Sequence, residues 1–307
     1  MHNSVQKDFD DFIKKITLNK TEKDDIVKKH NHLTDMIKQD PPAGYKIVKT
    51  RLSGSYAKHT VLNEYDETKL PDVDVVLLIE ANDKSVDDIN LDFLTYFEAK
   101  KGKVALNVRQ QSNSIGIIYS NISVDMVIGV IENDTLKITS DKKHDWLETN
   151  CLKQIEYMEE KNKDYEGFCY YDLFKLIKYL NKEVLEHKLK SYTLEQVIHQ
   201  CAPKDSVGLR IYQAFSKTLD NISSLTSITD IRDCCDKNKN GYDEKDEEIF
   251  AEFIEEISNY YQMSQEALTG NRKKWQEIFG DRFPEQPNTI VKNEGVYDKT
   301  QTPYCLK

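Results

Sequence analysis

The sequence predicts an α+β fold: a mixed twisted sheet with flanking helices, followed by a helical lobe. Two observations carry this reading. Short apolar or alternating runs of strand length crowd residues 45–139, whereas from about residue 145 apolar residues recur only at helical spacing. A stop signal, 40-DPPAG-44, also sets two amphipathic helices apart from the first strand.

The first helix is marked by Val5, Phe9, Phe12, Ile13 and Ile16, and a second pattern runs from Thr21 through Ile26, Leu33 and Ile37. Residues 45–52 alternate as a strand and 73–80 form a continuous apolar one. Ser85 and Gly102 bracket a helix in 85-SVDDINLDFLTYFEAKKG-102 as cap and stop. The runs 104-VALNVRQ-110, 114-SIGIIYS-120 and 122-ISVDMVIGV-130 read as strands, with a short one near 135-TLKIT-139 as the last. Helices are expected at 171–185, 191–200, 207–219, 246–261 and 271–280. The expected domains are 1–145, a core with two N-terminal helices; 146–284, a helical lobe with the site in the cleft between; and 285–307, a polar tail.

Of the 307 residues, 38% are hydrophobic and 31% charged, which suits a soluble globular protein with real cores. No stretch reaches the ~20 apolar residues of a membrane span, and the N-terminus lacks a signal-peptide pattern, so a cytoplasmic protein without membrane association is expected. The six cysteines (151, 169, 201, 234, 235 and 305) show no CxxC spacing and read as reduced thiols. A net charge of -10 argues against binding long nucleic acid through a broad basic surface.

The chemistry concentrates in 54-GSYAKHTVLNEYDETKLPDVDVVLLIE-80. Asp72 and Asp74 lie two apart at the head of an apolar strand, so they share a face and need a cation or water. Gly54 and Ser55 stand at a strand end where backbone N–H groups and a hydroxyl can cradle phosphate, although such a pair alone is an ordinary turn. The DxD is weak alone too, since Asp8-Phe9-Asp10 repeats it on an amphipathic helix. Asp125, a lone carboxylate in the apolar run 121-NISVDMVIGV-130, is the second signal, its other reading being an edge-strand residue facing water. Together the three carboxylates can hold two Mg²⁺, with Mn²⁺ able to substitute, one ion activating an attacking hydroxyl and the other steadying pyrophosphate. Asp125 could also accept the proton of the attacking hydroxyl.

Gly54-Ser55, Asp72-Val73-Asp74 and Asp125 within ISVDMVIGV resemble the active site of the DNA polymerase β-like nucleotidyltransferases. Within that superfamily the likeness is to cyclic GMP-AMP synthase and the bacterial cyclic-oligonucleotide synthases of anti-phage CBASS signalling. The resemblance extends to 172-DLFKLIKYLNKEVLEHKLKSYTLEQVI-198 and to 275-WQEIFGDRFP-284. It implies that Lys175 and Lys178 contact phosphate oxygens, that Ser191 hydrogen-bonds the phosphates and that Tyr192 stacks on a base. It further implies ATP or GTP, and also pyrimidine NTPs, as substrates, pyrophosphate release, and a downstream effector that reads the cyclic di- or trinucleotide product. From the residues alone, Lys175, Lys178 and Lys182 read as a solvated face opposite the stripe Leu173, Leu176, Ile177, Leu180 and Val184, and Tyr192 as a packing residue.

Departures from the family pattern are specific. Lys58-His59 stands where Arg-Gly is common, leaving Lys58 as a weaker phosphate candidate, and Cys151 replaces a common proline. The animal enzyme's zinc-bearing insertion has no counterpart, so activation by double-stranded DNA is not expected. Two alternatives stay open: a non-cyclising transferase acting on an RNA end or a protein, and an inactive nucleotide-binding scaffold. The run 236-DKNKNGYDEKDE-247 matches the calcium-loop pattern, but Asp243 occupies its aliphatic position and no second hand accompanies it, so it reads as a helix connector.

Overall fold

The computed structural model describes residues 2–63, 71–80, 83–102 and 105–285. Outside them lie Val104 of one expected strand, part of the loop ahead of Asp72, and the expected tail from residue 286 on, with Cys305.

The chain forms two compact units, one of Leu18–Glu156 and one of Met1–Thr17 with Tyr157–Lys307. This division departs from the expected 1–145 and 146–284, because the first helix groups with the helical unit.

In the sheet-bearing unit, α2 (Lys20–Gln39) begins at Asn19, whose side chain accepts from the Glu22 N–H while Glu22 returns a bond to the Asn19 N–H. Next come β1 (Ile47–Ser53), the one-turn α3 (Gly54–Ala57), β2 (Asp72–Ile79) and α4 (Val86–Ala99), the last capped by Ser85 as expected. The strands β3 (Asn107–Gln110), β4 (Ile115–Ile118), β5 (Ser123–Glu132), β6 (Thr135–Ser140) and β7 (Asp145–Thr149) complete the sheet. The order is β1-β2-β5-β4-β3, with β6 on β5 and β7 on β6. Among the described strands only β2 and β5 pair in parallel, which requires the long crossover through α4 and the β3–β4 hairpin.

The strand β7 corrects the expectation that strands end near residue 139: 145-DWLET-149 pairs with β6 throughout, from Leu136 opposite Thr149 to Ser140 opposite Asp145. As a half-buried edge strand of five residues it carries no apolar alternation to mark it.

The two faces of the sheet differ. Val73, Val75, Leu77 and Ile79 of β2, with Val124, Met126, Ile128 and Val130 of β5, pack into the main core with Ile26, Leu33 and Ile37 of α2 and Phe93 and Phe97 of α4. Val76 and Leu78 point the other way, onto Leu136, Val127 and Leu152. Strand alternation therefore puts Asp72, Asp74 and Asp125 on this second face, at the end where the aliphatic cluster stops.

The helical unit contains α1 (His2–Lys15), most of α5 (Cys151–Asp164), α6 (Tyr170–Tyr179), α7 (Ser191–Cys201), α8 (Ile211–Ser223), α9 (Glu247–Leu268) and α10 (Lys273–Phe279). Phe9 of α1 meets Trp275 edge-on at 4.9 Å and Phe283 at 5.2 Å, and Phe12 meets Tyr179 at 5.1 Å. Asp8 pairs with Arg272, and the Arg282 guanidinium donates to the Lys15 carbonyl at 2.6 Å. These contacts fasten α1 to the segment Arg272–Phe283, and they account for Asp8 of the decoy DxD.

The expected helix 171–185 instead passes from α6 into a π-helical turn, Leu180–Val184. The α6 lysines do not form a solvated face: Lys175 is only 8% exposed, on a helix that also buries Leu173, Phe174, Leu176 and Ile177. The loop 231–241 is closed by backbone bonds, Asp233 N–H to the Lys239 carbonyl at 3.1 Å and Gly241 N–H to the Ile231 carbonyl at 3.0 Å. Asp236 and Asp243 accept from the N–H groups of Asn238 and Lys245 at 3.1 and 3.0 Å, as connector residues do.

Candidate active site

The site is a row across five strands. Ser53 of β1 stands opposite Asp74 of β2, Asp74 opposite Asp125 of β5, Asp125 opposite Gly116 of β4, and Gly116 opposite Arg109 of β3. Asp72 lies two residues before Asp74 on the same face, level with Ser123. The carboxylates that the sequence singled out are thus neighbours, and β5 is an inner strand, which overturns the edge-strand reading of Asp125.

Gly54 follows directly from this arrangement. Its φ is +61°, in the left-handed region, and a Cβ there would fall 1.7 Å from Asp74 Oδ2. The chain turns at Gly54 into α3, so the N–H groups leading that turn lie beside the acidic row. Ser55 is the second residue of α3, and its carbonyl is tied to the Thr60 N–H at 2.9 Å. Lys58 closes the turn, its N–H bonded to the Gly54 carbonyl at 3.1 Å, and its side chain is buried.

Burial, reinforced by the charges of Asp72 and Asp74, pushes the Asp125 carboxyl up to about 6. Arg109 and a hydrogen bond from Gln111 Nε2 to Asp125 Oδ1 at 3.0 Å pull the other way. Such repulsion among neighbouring carboxylates marks a site that wants positive charge. The donor set fits a hard divalent cation: three carboxylates, with the Ser123 hydroxyl buried beside them and unpartnered among the described residues.

The second-lobe candidates belong to the helical unit. Lys175 donates to Asp172 at 2.9 Å and Lys178 pairs with Glu195 at 3.6 Å. Ser191 opens α7, and Tyr192 beside it is 37% exposed, its hydroxyl donating to Asp233 Oδ2 at 2.9 Å and to the Asn240 carbonyl at 3.1 Å. Burial and the Asp233 carboxylate hold the Tyr192 phenol well above its ordinary range. The approach to α7 is fixed by Asn181, which donates to the Leu189 carbonyl and accepts its N–H, both at 3.0 Å, and by Asp246, which accepts from the Lys190 N–H at 3.3 Å. Sequence reasoning missed Arg109, Gln111, Asn181, Glu195, Asp233 and Asp246, polar residues that no motif or spacing set apart. Among the described residues, the neighbouring thiols of Cys234 and Cys235 lie 3.6 Å apart, with both cysteines half-buried.

A family model described as a Second Messenger Oligonucleotide or Dinucleotide Synthetase domain matches residues 3–162, just over half of the chain. The chain belongs to this family. The synthetase is a nucleotidyltransferase of the cyclic-oligonucleotide-synthase group found in bacterial CBASS defence. Members of the family are metal-dependent. It is 24% identical over 297 residues to the cyclic AMP-AMP-AMP synthase of an Acinetobacter strain, covering 92% of this chain and 86% of that one. To the cyclic AMP-AMP-GMP synthase of Enterobacter hormaechei it is 22% identical over 360 residues, covering 91% and 92%. Escherichia coli MS115-1 CdnC, solved with ATP, superposes with a TM-score of 0.67 at 17% identity, over 91% of this chain and 99% of that one, which shows a common fold. No helix among the described residues is long and apolar enough to cross a membrane.

Proposed function

We propose that this synthetase joins nucleoside triphosphates into a cyclic di- or trinucleotide messenger at the Asp72, Asp74 and Asp125 row. The observation that carries the reading is the β2–β5 register, with Asp74 opposite Asp125 and Gly54 packed under Asp74. Asp72, Asp74 and Asp125 are the residues that would hold two Mg²⁺, with Mn²⁺ able to replace them. Bound there, the ions would stabilise charge on the attacking and leaving oxygens of an in-line displacement at the α-phosphate, with pyrophosphate leaving.

The chain's own residues do the rest. The Gly54-Ser55 turn offers N–H groups and a hydroxyl to the triphosphate. Asp125 accepts the proton of the attacking hydroxyl. Lys175, Lys178 and Ser191 contact phosphate, and Tyr192 offers its ring to a base. A ring of three nucleotides that includes adenine is favoured, because both curated relatives are named for such products. The product acts on a downstream effector in the cytoplasm, and double-stranded DNA is not the trigger.

Incubation with four labelled NTPs and Mg²⁺, phosphatase treatment and mass spectrometry test this reading. A phosphatase-resistant cyclic product, absent with Asp72→Asn/Asp74→Asn, is expected. Label transferred only to added RNA or protein would sink it.

A further inference from the structure

The β3–β4 hairpin reaches the acidic row through a gap. Gly116 of β4 stands directly beside Asp125 and carries no side chain to fill the space between. A Cβ there would meet Gln111 Nε2 at 2.7 Å and Arg109 Nε at 3.0 Å, so these two side chains occupy the room the glycine leaves. Through it Gln111 Nε2 donates to Asp125 Oδ1 at 3.0 Å.

Gln111 is itself held from behind. The Ser114 hydroxyl donates to Gln111 Oε1 at 3.1 Å, which fixes the end of the amide that faces Asp125. A reversed amide would set a carbonyl against a carboxylate and lose the Ser114 donor. The hairpin loop is pinned by the Gln111 N–H to the Ser114 carbonyl at 2.9 Å, and by the Asp141 N–H to the Ser112 carbonyl at 2.8 Å. Ser114, Gln111 and Asp125 thus form a directed chain of donors that ends on one oxygen of one aspartate. Arg109 contributes charge, and Gln111 contributes direction.

We propose that Gln111 is a positioning residue for nucleotidyl transfer: it holds Asp125 through Oδ1, leaving Oδ2 aimed at the ion and the attacking hydroxyl, and Ser114 orients it. The proposal rests on the reading of Asp125 as the third catalytic carboxylate. Partners that orient metal-binding carboxylates typically change metal affinity or rate by about 10–100-fold when removed.

The test compares wild type, Gln111→Met, which keeps length but removes the donor, Gln111→Glu, Ser114→Ala and Asp125→Asn. Steady-state kinetics with NTPs are paired with calorimetric titration of Mn²⁺ in the presence of a non-hydrolysable NTP analogue, and with thermal unfolding. For Gln111→Met, kcat should fall about 10–100-fold. Its NTP KM should stay within about twofold, its Mn²⁺ affinity should weaken about tenfold, and its melting temperature should hold. Gln111→Glu should be worse, and Ser114→Ala intermediate. Gln111→Met with wild-type kcat and Mn²⁺ affinity, beside an inactive Asp125→Asn, overturns the proposal. A defect confined to KM, or one that tracks melting temperature alone, overturns it as well. Should Gln111→Met fail to fold, Ser114→Ala decides by the same two readouts. An Asp125→Asn variant as active as wild type removes the underlying reading instead, whatever Gln111 does.

Discussion

The carboxylate of Asp74 lies over Gly54, so closely that a methyl group on Gly54 would overlap it at 1.7 Å. Relief would require Asp74 to rotate away or the turn to shift, and φ at +61° disfavours alanine in any case. Gly54→Ala should therefore lower stability by roughly 1–3 kcal/mol. It should also lower turnover by at least about 100-fold, because the turn and Asp74, the proposed metal ligand, move together. Thermal unfolding beside product formation checks this, and wild-type turnover in a folded variant would refute it.

The Asp125 carboxyl gives the metal-free protein a pH signature. Its folded value, about 6, lies above the ordinary 3.8, so between these values the folded state binds more protons than the unfolded one. The associated stability is present at low pH and is lost as pH rises through about 6. Allowing for solvent screening, Asp125→Asn should stabilise the EDTA-treated protein at pH 8 by about 1–2 kcal/mol and leave it unchanged near pH 3.5. Denaturant unfolding at both pH values measures the difference. Saturating Mg²⁺ should stabilise wild type at pH 8 and the variant much less.

Lys178 and Glu195 form an ion pair with side chains 13% and 7% exposed. Removing one partner leaves a charge facing a poorly hydrated interior. Lys178→Ala should lower stability by about 2–4 kcal/mol and also weaken NTP binding. The double variant Lys178→Met/Glu195→Leu should recover most of the stability without the nucleotide affinity. Recovery of both would show that Lys178 serves packing alone.

What the sequence disclosed followed from chemical anomaly. Asp72, Asp74 and Asp125 were legible because carboxylates in apolar strands demand an explanation, whereas Gln111 in a polar loop demands none. Most helices and strands followed their periodicity. The first helix showed that Phe9 and Phe12 share a face but not that Trp275 and Phe283 cover it, since periodicity identifies a buried face without naming its partner. Lys175 was misread for a related reason: Phe174, Tyr170 and Tyr179 bury α6 nearly all round, and amphipathicity counts every lysine as solvated.

The Tyr192 hydroxyl and its ring should separate by mutation. Tyr192→Phe removes the hydroxyl that donates to Oδ2 of Asp233, a residue only 3% exposed whose Oδ1 still accepts from the Cys235 and Asp236 N–H groups, and should cost about 1–3 kcal/mol of stability while the NTP KM changes little. Tyr192→Ala should raise KM by about tenfold or more, the usual worth of a base-stacking ring. Equal KM values in the two variants would sink the stacking role.

The loop that matches a calcium pattern should give no saturable heat when titrated with micromolar Ca²⁺, because Asp236 and Asp243 are engaged by backbone N–H groups. Saturable heat abolished by Asp236→Ala/Glu247→Ala would reverse this view.

The attachment of α1 to the C-terminal segment bears on synthesis. Phe9 and Phe12 are enclosed by Trp275, Phe279 and Phe283, which are made about 270 residues later. At roughly 5–20 residues per second the wait is on the order of 15–50 s. Within that interval Leu18–Glu156 forms a compact unit of its own and can be complete long before the wait ends. The nascent chain thus carries a folded sheet-bearing unit behind an uncovered aromatic helix, a state suited to chaperone capture until Trp275–Phe283 is made.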